Sequence, residues 1–145
     1  MKTKKTKMVL GFLFSENREK VCLIEKQKPE WQKGLLNGIG GKIELGETAI
    51  EAMVREFNEE AGLKLNYVTW EHFATMNGKD WKVYCYVAFS DSIFWVKTNE
   101  IEIVSVFDTN HVLTELHDKT ISNLQWLIPM ALDKSDNFTC NIVYQ

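Results

Sequence analysis

The chain has 145 residues, 45% of them apolar and 26% charged, which suits one folded domain with a real core and argues against disorder. Its net charge of -3 argues against a nonspecific nucleic-acid binder, which carries a basic surface. It is compatible with an enzyme acting on nucleotides, because a few local carboxylates suffice to hold cations against a ligand's negative charge.

Residues 1–7 are basic, and the apolar run 8–14 that follows is too short for the apolar segment of a secretory signal or for a membrane span. It reads as a first strand. Residues 20–25 form a second, and the polar stretch 15–19 between them predicts a hairpin. Residues 26–35 read as a polar loop carrying Pro29 and Trp31. The glycine-dense stretch 37–41 reads as a tight, irregular passage. Residues 47–61 have helical periodicity, with Thr48 as N-cap and Gly62 as the stop. Residues 67–76 and 81–89 read as strands around an Asn77-Gly78 turn, residues 101–107 as a further strand, and residues 118–132 as a second helix that Pro129 kinks or ends. Strands bracketing two helices imply an α/β sandwich with a mixed sheet. Residues 1–145 then make a single domain.

Cys22, Cys85 and Cys140 are far apart and form no CxxC pair. They read as reduced thiols, which suits the cytoplasm. The three histidines, His72, His111 and His117, show no ligand spacing with them, which argues against zinc.

The chemistry lies between Gly41 and Leu63. At about 100° per residue, Ile50, Met53, Val54, Phe57 and Ala61 share one arc of the helix, which makes it the core face. Glu56, Glu59 and Glu60 share a second arc beside it, with the small residues Ala49 and Ala52 on the same side. Three carboxylates at helical neighbour spacing repel one another unless a cation sits among them. Clustered hard oxygen donors suit Mg²⁺ or Mn²⁺. The plainer reading is a solvated acidic face with Arg55 paired to Glu51 or Glu59. The glycines Gly40 and Gly41 favour the cation, because a backbone without side chains lets a metal or phosphate come close.

Gly41, Glu47 and the run Arg55-Glu56-Phe57-Asn58-Glu59-Glu60-Ala61-Gly62-Leu63 resemble the Nudix box in full. The resemblance implies a Nudix-type α/β/α sandwich and hydrolysis of the pyrophosphate linkage of a nucleotide. It implies Glu56, Glu59 and Glu60 as metal ligands, joined by the carbonyl of Gly41, with Mg²⁺ as cofactor and Mn²⁺ as a substitute. Arg55 then orients the carboxylates, in company with Glu47. Lys42 neutralises phosphate charge. The base that takes a proton from water is Glu56 or an acid outside the box, for which Glu100 is the candidate and Glu102 the second.

Residues 36–42 also resemble the segment before the box in MutT-type enzymes, which sanitise oxidised purine triphosphates such as 8-oxo-dGTP. By that resemblance Asn37 and Asn123 read a base; the alternative for Asn37 is a turn cap. Trp31 either stacks on a base or covers a sheet edge, Trp81 has the same two readings, and Trp126 is expected in the core. Ser105 departs from the pattern, since many relatives carry Trp there. Other readings are an enzyme for ADP-ribose, a dinucleotide or an RNA cap, and a silent nucleotide-sensing domain. The retained box carboxylates weigh against the last. The expected partner is a small nucleotide, with no membrane, no stable nucleic-acid complex, and a monomer or homodimer.

Overall fold

In the computed structural model, residues 4–133 and 138–145 are described; residues 1–3 of the basic start lie outside them. Strand β1 (Thr6–Phe14) begins two residues earlier than the apolar run alone implies. It is a central strand, and its apolar residues are buried on both faces, as such a strand requires. Leu10, Phe12 and Phe14 enter one core, and Val9 and Leu13 enter the other. Strand β2 (Lys20–Glu25) runs antiparallel to it, with Leu13 opposite Cys22, which confirms the hairpin.

The stretch expected to be irregular is instead mostly strand. β3 (Leu36–Asn37) pairs with β2, and β4 (Ile39–Lys42) pairs with β1, Gly40 opposite Leu10 and Gly41 opposite Val9. Glycine density here serves close backbone packing and not a turn. Helix α1 (Ala49–Ala61) is as expected, starting at a capping box in which Thr48 Oγ1 accepts from Glu51 N–H and the Glu51 carboxylate accepts from Thr48 N–H. It ends at Gly62 in the left-handed region, φ 66°. Met53, Val54, Phe57 and Ala61 are buried as expected, Ile50 is only half-buried, and Ala52 lies fully in the core and not on the carboxylate side.

Residues 67–69, expected in a strand, form a single 3-10 turn; β5 starts only at Glu71 (Glu71–Asn77) and pairs antiparallel with β6 (Trp81–Phe89). β6 runs parallel to β1 along its whole length. The strand expected over 101–107 is β7 (Val104–Asp108); Ile101 and Ile103 are exposed. The helix expected over 118–132 is broken. Thr120 bridges to Leu36, the Ile121 N–H bonds to the Leu36 carbonyl, a 3-10 turn covers His117–Lys119, and only Leu124–Leu132, here α3 after the short α2 (Thr109–Leu113), is α-helical. Two β-branched residues favour that extended bridge over continued helix. Pro129 sits inside α3, which continues to Leu132. A last strand, β8 (Cys140–Val143), runs parallel to β5. Neither α2 nor β8 is apparent from the sequence pattern.

The described residues form one mixed sheet in the order β3-β2-β1-β6-β5-β8, with β4 on β1 and β7 on β2. Helix α1 covers one face and α2 with α3 the other, so two apolar cores sandwich the sheet. This is the α/β/α layering expected. Cys22 and Cys85 are buried free thiols whose burial pushes both up to about 12, and Cys140 is half-buried and free. Among the described residues no helix is long and apolar enough to cross a membrane.

Candidate active site

The site is built where the surface of α1 meets β4. Because β4 is fixed to β1, Gly41 lies directly under Glu56: a Cβ at Gly41 would stand 2.5 Å from the Glu56 carboxyl carbon. No side chain larger than hydrogen leaves the carboxylate where it is. Gly40 is held more tightly still, since a Cβ there would stand 1.9 Å from the Val9 carbonyl oxygen.

Arg55 is the hub of the carboxylates. Its Nε and Nη2 donate to both oxygens of Glu47 at 2.6 and 3.0 Å. Its Nη1 donates to Glu56 at 2.9 Å and Glu59 at 3.2 Å, and Nη2 also donates to the Lys42 carbonyl at 3.1 Å. One planar guanidinium therefore ties the loop before α1, the end of β4 and two carboxylates together, as its fork of donors permits. The expected partnership with Glu47 is present, and so is the pairing with Glu59 from the plainer reading; Glu51 is instead engaged in the cap. The Arg55 bond holds the Glu47 carboxyl below its ordinary range.

Glu56 and Glu60 behave in the opposite way. Burial raises the Glu56 carboxyl, which Arg55 only partly offsets, and the charges of Glu59 and Glu100 add to the rise. Burial pushes Glu60 up to about 8, helped by the charge of Glu56. Its Oε2 is buried with no hydrogen-bond partner. Such an oxygen is costly unless something positive reaches it. Glu59 is the exposed member, its side chain 46% accessible.

With Glu56 and Glu59 turned to Arg55, no group of three His, Cys, Asp or Glu among the described residues encloses an ion as it stands. The donor set nonetheless fits a hard divalent cation. It offers the partnerless Glu60 oxygen, the Glu56 and Glu59 carboxylates, and a glycine backbone that a cation can approach.

The far end of α1 is fixed by a segment that the sequence did not advertise. Lys97 N–H and Asn99 N–H donate to the carbonyls of Ala61 and Glu60, and Asn99 Nδ2 donates to that of Glu59 at 3.0 Å. These bonds satisfy terminal helix carbonyls and bring the next residue, Glu100, close enough for its charge to be felt at Glu56 and Glu60. Glu100 is exposed. Glu102 is already committed: it accepts from Lys26 Nζ at 3.1 Å and from Gln27 N–H at 2.5 Å. The side chain of Lys42 is exposed at the end of β4.

Beside the carboxylates, and reaching Gly40 and Gly41, lies a pocket of about 580 Å³. Trp31, Asn37 and Asn123 all line it, so the structure brings the three residues singled out for base contact to one cavity. Asn37 Oδ1 accepts from Gly38 N–H at 2.8 Å, a local contact between β3 and β4 and not the turn cap that was its alternative. Trp31 is 68% exposed at the rim. Trp81 lines the pocket too, together with Met76 and Tyr144; sequence reasoning missed Tyr144 because β8 was not foreseen. Trp126, expected in the core, is 39% exposed and does not line the pocket.

A model of the NUDIX domain family matches residues 4–137. An 8-oxo-dGTP diphosphatase of Escherichia coli (strain K12) is 35% identical over 71 residues, an alignment that spans 49% of this chain and only about half of that protein (50%). Among solved structures, a MutT structure from a study of the Aliivibrio salmonicida and Vibrio cholerae proteins superposes with a TM-score of 0.71 at 18% identity, over 89% of this chain and 98% of that one. A NUDIX hydrolase from Nitrosomonas europaea gives 0.73 at 16% identity, over 98% and 80%. A bifunctional NMN adenylyltransferase/ADP ribose pyrophosphatase from Francisella tularensis gives 0.74 at 12% identity, over 91% and 42%. At these identities the structural likeness establishes the fold.

Proposed function

The chain belongs to the NUDIX domain family, and from that premise we propose that it is a Mg²⁺-dependent hydrolase of the pyrophosphate bond of a nucleoside triphosphate. The substrate class is that of MutT-type enzymes, with an oxidised purine such as 8-oxo-dGTP as the leading member. The observation that carries the reading is the continuity of two features across Gly40 and Gly41. The pocket is lined by these glycines, and the Glu56 carboxylate stands directly over the second of them. A base held in the pocket lays its phosphates over bare backbone toward the carboxylates.

The roles follow from position. Glu56, Glu59 and Glu60, with the Gly41 carbonyl, would hold Mg²⁺ or, in its place, Mn²⁺. The chemistry such an ion supplies is a more acidic water and shielded phosphate oxygens. Arg55 keeps Glu56 and Glu59 in place, and Glu47 keeps Arg55 in place. Glu56 or Glu100 takes the proton of the water that attacks phosphorus as the P–O–P link breaks. Lys42 offsets charge on the phosphates. Trp31 offers a face for stacking, worth about 1–3 kcal/mol, while Asn37 and Asn123 offer amide donors and acceptors to the base edge. The free thiols support a reducing cytoplasmic setting.

The test is release of phosphate or pyrophosphate with Mg²⁺ across 8-oxo-dGTP, ordinary dNTPs and NTPs, ADP-ribose, NADH, a diadenosine polyphosphate and capped RNA. A lead of about a hundredfold in kcat/KM, roughly 2.7 kcal/mol, for a purine triphosphate supports the reading. A lead for ADP-ribose or another diphosphate ester replaces the substrate but keeps the reaction. No turnover with either Mg²⁺ or Mn²⁺ refutes it.

A further inference from the structure

Within the pocket, Asn123 is contacted by Met76 of β5 and by a residue just beyond the last strand. β8 runs parallel to β5, and beyond its end the Tyr144 N–H donates to the Asn77 carbonyl at 2.8 Å. The Tyr144 ring meets the Trp81 indole edge to face, centroids 5.0 Å apart at 61°. Backbone and ring are thus held from two directions, which places the hydroxyl. That oxygen lies 3.4 Å from Asn123 Nδ2 and 3.7 Å from Met76 Sδ, and Asn123 Nδ2 lies 3.7 Å from the same sulfur. The three side chains close a triangle in the pocket wall.

The consequence falls on the other end of the amide. Asn123 stands at the N-cap of α3 but makes no capping bond, and its Oδ1 is buried without a partner. A buried acceptor left unpaired is unfavourable, so a ligand that brings an N–H to it is favoured over one that does not. An amide without these contacts could present either end. With Tyr144 and Met76 taking the N–H₂ group, the buried carbonyl is the end left without a partner.

We propose that Tyr144 is a positioning residue that orients the Asn123 amide as an acceptor and so biases the pocket toward bases presenting adjacent N–H donors, as the guanine-type imide and amino groups do. Adenine-type bases put an acceptor beside their donor and gain less. The inference rests on reading this cavity as the base pocket of a nucleotide enzyme.

The experiment measures binding, without metal, of GMP, 8-oxo-dGMP and AMP by titration calorimetry to the wild type and to Tyr144→Phe, which keeps the ring and removes only the hydroxyl. The expected result is that the wild type prefers the two guanine-type compounds. In Tyr144→Phe that preference falls about tenfold, the worth of roughly one hydrogen bond, while AMP affinity and the unfolding midpoint stay unchanged. Asn123→Ala should abolish the preference and make the Tyr144 substitution silent. The proposal is overturned if Tyr144→Phe leaves the preference within twofold, weakens all three ligands alike, or if the wild type binds none of them. Binding of monophosphates does not depend on turnover. A preference that shifts in a protein that hydrolyses nothing sinks the enzyme reading alone, and an active enzyme with an unmoved preference sinks this one alone.

Discussion

Two adjacent glycines should fail in opposite ways when each is replaced by alanine. Neither has a positive φ, so what each needs is space. At Gly40 an added Cβ would come within 1.9 Å of the Val9 carbonyl oxygen and 2.8 Å of its carbon. Those atoms belong to β1, the strand on which β4, β2 and β6 are all paired, and they cannot move without parting the sheet. Overpacking costs about 1–3 kcal/mol in ordinary cores, and a clash with fixed backbone belongs at or above the upper end. With about 2–4 °C lost per kcal/mol for a chain near this size, Gly40→Ala should melt about 10 °C lower or fail to fold. At Gly41 the obstacle is the Glu56 carboxyl group, 2.5 Å from the added atom. That is the end of a flexible side chain, which can swing away at a cost of about 1 kcal/mol in rotamer energy. Gly41→Ala should therefore melt within a few degrees of the wild type but lose about a hundredfold or more in kcat/KM, some 2.7 kcal/mol of transition-state stabilisation. Thermal unfolding by circular dichroism and pyrophosphate release with Mg²⁺ read the two effects separately. The reasoning is refuted if Gly40→Ala melts with the wild type, or if Gly41→Ala keeps full turnover.

The Glu47–Arg55 pair gives a pH dependence of defined sign. Glu47 is held low in the fold chiefly by its bond from Arg55, so its contribution is present above the ordinary carboxylate pKa and is lost as pH falls through the depressed value. Glu47→Gln should cost about 1–2 kcal/mol at pH 7, with the difference from wild type shrinking below about pH 4; a difference that grows on acidification would contradict this. The thiols offer a test of the core. Cys22 and Cys85 are buried and pushed up to about 12. A thiol reagent at pH 8 should thus label Cys140 alone in the native protein and all three cysteines in denaturant. Rapid labelling of Cys22 in the native state would show that this core opens.

Much of the site was legible in the sequence because a helix of period 3.6 turns spacing into geometry. Met53, Val54, Phe57 and Ala61 could be assigned to the core and Glu56, Glu59 and Glu60 to one adjacent surface from numbering alone. The cap at Thr48 and the stop at Gly62 follow from local chemistry and were also readable. What was lost depends on long-range pairing. The 37–41 stretch is glycine-rich, which locally signals a turn, yet its pairing with β1 decides in favour of strand. Residues 120–121 are drawn out of the helical pattern by Leu36, far earlier in the chain. The contribution of Asn99, which anchors α1 and delivers Glu100, has no local pattern at all. Tyr144 reaches the pocket only because β8 adds to β5. Ala52 sits near the edge of the apolar arc, and a small side chain is compatible with either face until packing decides.

The central claim is that the α1 carboxylates hold the ion that makes hydrolysis possible, and Glu60→Gln tests it most directly. The change removes the ability to present a charged carboxylate to a cation, keeps the shape, and acts on an oxygen that no protein group satisfies. Turnover of the best nucleotide substrate should be followed as a function of Mg²⁺ concentration, alongside the unfolding midpoint. The account predicts a loss of about a thousandfold in kcat in a protein that remains folded, with no recovery at low millimolar Mg²⁺. Full turnover with an unchanged Mg²⁺ requirement would contradict it.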